Sequence, residues 1–160
     1  MILYITNKLA SLRGSSTVVD EDKNPVYKVK GKFFSITHKK RICTLDNKVL
    51  YSVRNKFFNW WSHSAFIYDE NKEKIARVKK KVDLKGTFFV EGYKDEIKIE
   101  GNFFKLTSTI YRNGEQIGTI KREIKWFVDS FVLDANEEDM PFLIALVIAI
   151  DNIYDKASKV

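Results

Sequence analysis

The chain has little of what disulfide scaffolds, flexible linkers and most catalytic sites need: one cysteine, two prolines, seven glycines and two histidines in 160 residues. Cys43 alone cannot form an internal disulfide, which favours a reducing cytoplasm over secretion. So few prolines and glycines leave no room for a long linker, so residues 1–160 are predicted to form a single domain. The apolar start of the chain is interrupted from Thr6 to Lys8 and lacks a preceding positive region, unlike a signal peptide. We therefore expect a cytoplasmic protein.

Patterns of catalytic and metal-binding residues are equally scarce. His38 and His63 form no HExxH motif, and the glycines set up neither GxGxxG nor GK[ST]. Cys43 and His38 could meet in space, but no neighbouring residue favours the low thiol pKa that a nucleophile needs. A structural, half-buried thiol is the preferred interpretation. The sequence predicts a protein without catalytic activity, metal site or cofactor.

Long apolar runs are rare too, and only Met140 to Ile150 forms one. As a helix it would span roughly 16 Å, about half of a bilayer core of ~30 Å, so it is too short to cross a membrane. Nine consecutive apolar residues, Phe142 to Ile150, cover every face of such a helix and need burial on all sides. Asp139 is the predicted N-cap, and Asp151 closes the run. We predict a helix enclosed by a sheet.

Strand patterns fill most of the chain before this helix. In residues 26–32 the lysines alternate with Tyr27 and Val29, as in a half-buried strand. Three hairpins resemble one another, each with a polar turn, then an apolar-x-x-apolar step, then basic residues; they are residues 42–53, 66–78 and 109–120. Further candidate strands lie at 87–92, 96–100, 102–106 and 130–133, for about a dozen in all.

Closing these strands into a barrel would remove exposed edges and create the apolar interior that the helix needs. The glycine, serine and charged residues between Ala10 and Pro25 instead predict a mobile loop.

In their order, these segments resemble the LURP-one-related family of the tubby C-terminal-like superfamily, which also contains the phospholipid scramblases. The resemblance runs from Tyr27 to Asp151 and rests on VYKVKGKFF at 26–34, the hairpins with basic ends, and FVDSFV at 127–132 leading into the apolar run. It implies a twelve-stranded antiparallel closed barrel around a central hydrophobic C-terminal helix. Since tubby proteins bind phosphoinositides and scramblases associate with lipid, it also implies a phospholipid ligand, and no tubby lipid-binding residue is carried over to this chain.

The formal charge of +7 and a pI near 9.3 favour an anionic partner. We therefore hypothesise that the barrel binds anionic membrane headgroups and lies peripherally at the membrane. In a strand, Lys79 and Lys81 face one way and Lys80 the other, so the lysine run cannot join one patch, and scattered solvated lysines are the competing interpretation. The candidate contacts follow the hairpins, where repeated positions could bring them to one barrel end: Arg54, Lys56, Lys79, Lys81, Lys121 and Arg122.

Two other functions compete with lipid binding. A structural or protein-interaction module would use an exposed strand edge or the predicted loop from Ala10 to Pro25 to hold a protein partner. Nucleic-acid binding needs aromatic residues interleaved with basic ones on an exposed face, as at Trp60 and Trp61. Because the aromatic cluster at 57–61 fits better as packing in the barrel wall or a plug at its end, nucleic acid is the less favoured partner.

Overall fold

The computed structural model describes residues 1–6, 15–31, 39–55, 64–81, 86–102, 107–125 and 128–157. A 3₁₀ turn, Glu137–Asp139, and one helix, α1 (Met140–Ala157), follow the strands. The strands of these segments are β1 (Ile2–Thr6), β2 (Ser15–Val19), β3 (Pro25–Gly31), β4 (Lys40–Cys43), β5 (Val49–Asn55), β6 (Ser64–Tyr68), β7 (Lys74–Lys80), β8 (Phe88–Glu91), β9 (Ile97–Asn102), β10 (Thr107–Arg112), β11 (Glu115–Lys125) and β12 (Val128–Ala135).

The strands form a closed antiparallel barrel, which confirms the predicted fold. Each strand pairs with its neighbours in sequence, and β1 pairs with β12 to complete the ring. The amino group of Met1 adds a 2.8 Å hydrogen bond to the carbonyl oxygen of Ala135. Every strand in the described part of the chain is therefore paired on both sides, and the exposed edge expected for a protein-interaction module is a wrong prediction there.

The loop prediction from Ala10 to Pro25 is also wrong in part, because it contains β2. Ser15–Val19 pairs with both β1 and β3, and Val18 is fully buried. The loop was predicted from its glycine and serine content. The β-branched residues that follow, Thr17 to Val19, favour a strand instead. Residues 10–14 of the predicted loop lie outside the described residues.

Three hairpin turns share one geometry, at residues 20–24, 44–48 and 69–73. In each, the carbonyl oxygen of the first residue accepts a hydrogen bond from the backbone N–H of the fourth. The backbone N–H of the first residue donates to the carbonyl oxygen of the fifth. The side chain of the first residue accepts another from the fifth amide, as Asp69 does from Glu73 at 2.8 Å. The fourth residue has positive φ, as in a type I turn closed by a bulge. The second and third turns confirm part of the predicted repeat; the first was not predicted.

Helix α1 fills the barrel. Phe142 to Ile150 are all less than 5% exposed, and the helix packs most closely on β5 and β6. Inward residues of the strands complete the core, among them Leu3, Ile42, Ile67, Phe88 and Leu133, all fully buried. None of the helices in the described segments has the length and apolarity needed to cross a membrane.

The helix continues past Asp151, where the sequence predicted its end. The Asp151 carboxylate lies 3.5 Å from the Lys40 ammonium, and the Asn55 amide donates a 3.1 Å hydrogen bond to the carbonyl oxygen of Asn152. Because β4 and β5 supply these partners, buried polar residues can continue the helix to Ala157.

Candidate anion-binding surface

The barrel has two chemically different ends. The turn end carries the hairpin turns and the start of α1, while the far end is where β3, β5, β7, β9 and β11 finish. The turn-end segments are 20–24, 44–48, 69–73, 92–96, 113–115 and 136–139. They hold thirteen of the chain's 21 acidic residues and only four of its 28 basic residues. The charge of the protein is therefore unevenly distributed along the barrel axis, with its negative pole at the turns.

Three of the predicted contacts lie on the same side of the barrel. Arg54 on β5 and Lys79 on β7 point outward, since the residues beside them in each strand, such as Val53 and Val78, are fully buried. Lys81 follows directly and is exposed. All three lie toward the far end on the outer face of the barrel, with β6 between Arg54 and the two lysines.

Lys121 and Arg122 do not join them. Lys121 is exposed on the outer face of β11, four strands from β7 around the ring, with its ammonium 3.7 Å from the Glu123 carboxylate. Arg122 follows buried Ile120 by two residues, so both side chains lie on the same side of β11, and it is paired with buried Phe131. It is therefore on the core-facing side. Lys121 and Arg122 therefore lie on opposite sides of β11, and their shared role in anion binding stays a prediction. Lys56, the remaining candidate, lies outside the described residues, as do Trp60 and Trp61.

The predicted alternation of the lysine run is confirmed. Lys79 binds the Glu91 carboxylate at 2.7 Å on the outer face. The Lys80 ammonium lies 5.0 Å from the centre of the Tyr154 ring, on the helix inside the barrel. Lys81 returns to the outside, 5.6 Å from the centre of the Phe89 ring.

Half-buried aromatic rings separate the cations on this outer face. In one row across the sheet, Phe66 stands between Arg54 and Arg77, and in the next row Phe89 stands between Lys79 and Lys98. We call the outer face made by these six residues the cation–aromatic wall. Sequence reasoning missed the aromatic part, although the alternation of Phe66 and Tyr68 with buried residues was a usable signal.

Cations of the wall and of the residues next to it lie over aromatic ring faces. The Arg77 guanidinium is 5.8 Å from the centre of the Phe66 ring, and the Lys74 ammonium is 5.4 Å from it. The Arg54 guanidinium lies 5.2 Å from the centre of the Tyr68 ring. Among the described residues, neither Arg54 nor Arg77 is within ion-pair distance of a carboxylate, and the Nε of each is buried without a hydrogen-bond partner. Both arginines therefore keep most of their capacity to bind an anion.

The turn end is closed by a different set of contacts. Two nitrogens of the Arg112 guanidinium bind the Asp139 carboxylate at 2.5 and 3.2 Å, and its Nε lies 3.6 Å from Asp95. The hydrogen bond to Asp139 raises the pKa of Arg112. Beside it, Tyr93 stacks on Phe142 at 4.2 Å between ring centres, and burial raises the pKa of Tyr93. These contacts lie at the end of the barrel where α1 begins. They hold Asp139, the predicted N-cap, against Arg112 of β10.

The described residues offer little for catalysis or metal binding. Cys43 is a free thiol only 1% exposed, and His38 lies outside the described residues, so the conceivable dyad has no observed geometry. No group of three or more His, Cys, Asp or Glu side chains in the described segments is placed to hold a metal ion.

The described residues define a closed antiparallel barrel of twelve strands around a buried C-terminal helix. The chain belongs to the LURP-one-related family, whose model matches residues 1–151. The X-ray structure of a protein from Arabidopsis thaliana is similar, with a TM-score of 0.63 and 15% identity over 96% of this chain and 91% of that one. At this identity the likeness shows a shared fold alone. No curated protein matches the sequence.

Proposed function

We propose that residues 1–160 act as one non-catalytic, tubby-like domain that binds anionic membrane headgroups reversibly from the cytoplasm. The observation that carries the proposal is the charge separation along the barrel axis. Acidic residues concentrate at the turn end, while Arg54, Lys79, Lys81 and Lys121 lie toward the far end. An anionic surface attracts the far end and repels the turn end, so the barrel docks with a defined orientation.

The expected strength comes from several weak contacts. Each lysine or arginine near an anionic surface contributes about 1 kcal/mol, so four to six of them hold the protein there only at low or moderate salt. Arg54 is better placed than Lys79, because Lys79 already binds Glu91. We assign no direct contact to Arg122, which faces the core, and Lys56 remains a proposed contact from the sequence.

Co-sedimentation tests the proposal, with vesicles of phosphatidylcholine alone or mixed with phosphatidylserine. We expect pelleting only with the mixed vesicles, and we expect the double change Lys81→Gln and Lys121→Gln to weaken it several-fold and flatten its salt dependence. The matched control removes two exposed turn-end lysines, Lys72→Gln and Lys94→Gln, and should leave binding unchanged.

Three results count against lipid binding: equal pelleting with both vesicle types, pelleting with neither, or equal losses from both lysine pairs. A stoichiometric protein partner recovered without any vesicle binding would instead favour the protein-interaction module. Unchanged thermal melting of the four lysine variants separates lost binding from lost structure, since surface changes of this kind shift stability by less than about 0.5 kcal/mol.

A further inference from the structure

We propose that the cation–aromatic wall binds single-stranded nucleic acid, with bases stacked on Phe66 and Phe89 and phosphates held by the flanking cations. This goes beyond lipid binding: it uses the outer side of the barrel, where Arg54 and Lys79 are shared with the proposed lipid contacts and Phe66, Arg77 and Phe89 are not. Interleaved rings and cations on an exposed sheet face are the arrangement by which sheet proteins bind single strands.

The orientation of the rings supports stacking. A cation can lie over an aromatic face only if that face is open to its neighbours, and Phe66 has the Lys74 ammonium and the Arg77 guanidinium at 5.4 and 5.8 Å from its centre. Phe89 has the Lys81 ammonium at 5.6 Å. A base can replace the cation on the ring while the displaced cation moves to the adjacent phosphate, so each exchange keeps both partners satisfied.

The spacing of the wall suits an extended strand. Phe66 on β6 and Phe89 on β8 are two strands apart, about 10 Å in the hydrogen-bonding direction, with β7 and its cations between them. Arg77 is the central cation, and it lies directly opposite both Phe66 and Glu91. Because the Glu91 carboxylate is bound to Lys79, it leaves the Arg77 guanidinium available to a phosphate.

The same features disfavour insertion of the two rings of this wall into a membrane. Aromatic residues that enter a bilayer interface project beyond the charges around them, whereas Phe66 and Phe89 are half-buried and lie beneath their cations. Duplex DNA also fits poorly, since its bases are already stacked on one another and present no free face.

The opposite wall supplies a natural control. Tyr4 on β1 is an outward, half-buried ring, but its cross-strand neighbours are Val132 and Val19, not cations. If stacking needs both a ring and its flanking charges, Tyr4 contributes nothing to binding.

Fluorescence anisotropy at low salt, with a labelled oligothymidine of about 12 nucleotides, tests the proposal; barrel-type binders cover about 4 to 16 nucleotides. We expect Phe66→Leu and Phe89→Leu each to weaken binding about tenfold, whereas Phe66→Tyr, which keeps the ring, retains it. Arg77→Gln should reduce the slope of log affinity against log salt by about 0.7. Tyr4→Leu should match the parent, and a duplex of the same length should bind more weakly.

Several outcomes overturn the assignment: no oligothymidine binding at low salt, equal affinity for single strand and duplex, or equal affinity of the parent and Phe66→Leu proteins. If the phenylalanine variants lose vesicle pelleting but keep oligonucleotide binding, the wall would instead be a membrane-binding surface. If a leucine variant fails to melt cooperatively, Phe66→Tyr and Arg77→Gln still decide the matter. Vesicle binding with the far-end lysine variants is measured separately, so either proposal can fail alone.

Discussion

Replacing Leu146 with aspartate is the sharpest test of the barrel's interior. Leu146 lies near the middle of α1 and is fully buried, as are Leu143 and Ile150 around it. Removing such a side chain, as in Leu146→Ala, costs about 2.7 to 5 kcal/mol. The aspartate adds an unpaired carboxylate in a dry site, worth several kcal/mol more. Against a total stability of about 5 to 15 kcal/mol, Leu146→Ala should fold with reduced stability and Leu146→Asp should not fold.

Urea unfolding followed by far-ultraviolet circular dichroism measures both variants. The matched control is Leu45→Asp, because Leu45 is 42% exposed in a turn and the change should cost less than about 0.5 kcal/mol. A soluble Leu146→Asp protein with a cooperative transition near that of the parent would refute the reasoning that every face of the helix is buried.

Two further predictions concern the turn end and the helix terminus. Arg112→Leu leaves the 9%-exposed Asp139 unpaired and should cost about 3 kcal/mol in urea unfolding; adding Asp139→Leu should recover part of it, and a cost that the second change increases would contradict the pairing. Burial raises the pKa of Tyr154, so above pH of about 10 the unfolded chain loses its proton first and stability falls as pH rises, by up to about 1.4 kcal/mol per pH unit. Tyr154→Phe should flatten this alkaline loss in thermal melts, and an unchanged slope would sink the assignment.

The helix and the barrel were predictable because their signals are local or follow from one requirement. The apolar run from Met140 needs burial on all sides whatever surrounds it, and strand alternation along β3 and β7 is visible in the sequence alone. A ring of strands is the arrangement that meets both needs.

What could not be predicted depends on partners distant in sequence. Asp151 was predicted to end the helix, because its partner, Lys40, lies 111 residues earlier and cannot be identified from the local sequence. Arg122 was predicted to be a surface cation, because the side of β11 that faces the core is fixed only by its pairing with β12, where Phe131 lies opposite Arg122. Pairing of β6 with β7 makes Phe66 and Arg77 neighbours, but the complete cation–aromatic wall needs the register of the five strands β5 to β9. Lys81 and Arg54 could be proposed from the sequence because they follow apolar steps at repeated positions, a signal contained within each hairpin.

The pairing of β1 with β12 also sets when the fold can form. The first strand is made early on the ribosome, yet its partner, Val128–Ala135, and the helix that fills the barrel are synthesised more than 120 residues later. Until then the nascent sheet has two open edges and a hollow apolar face, both of which invite aggregation. The ring therefore closes in a late step, after the last strand and the helix have been made, and pairing over so long a sequence separation is intrinsically slow.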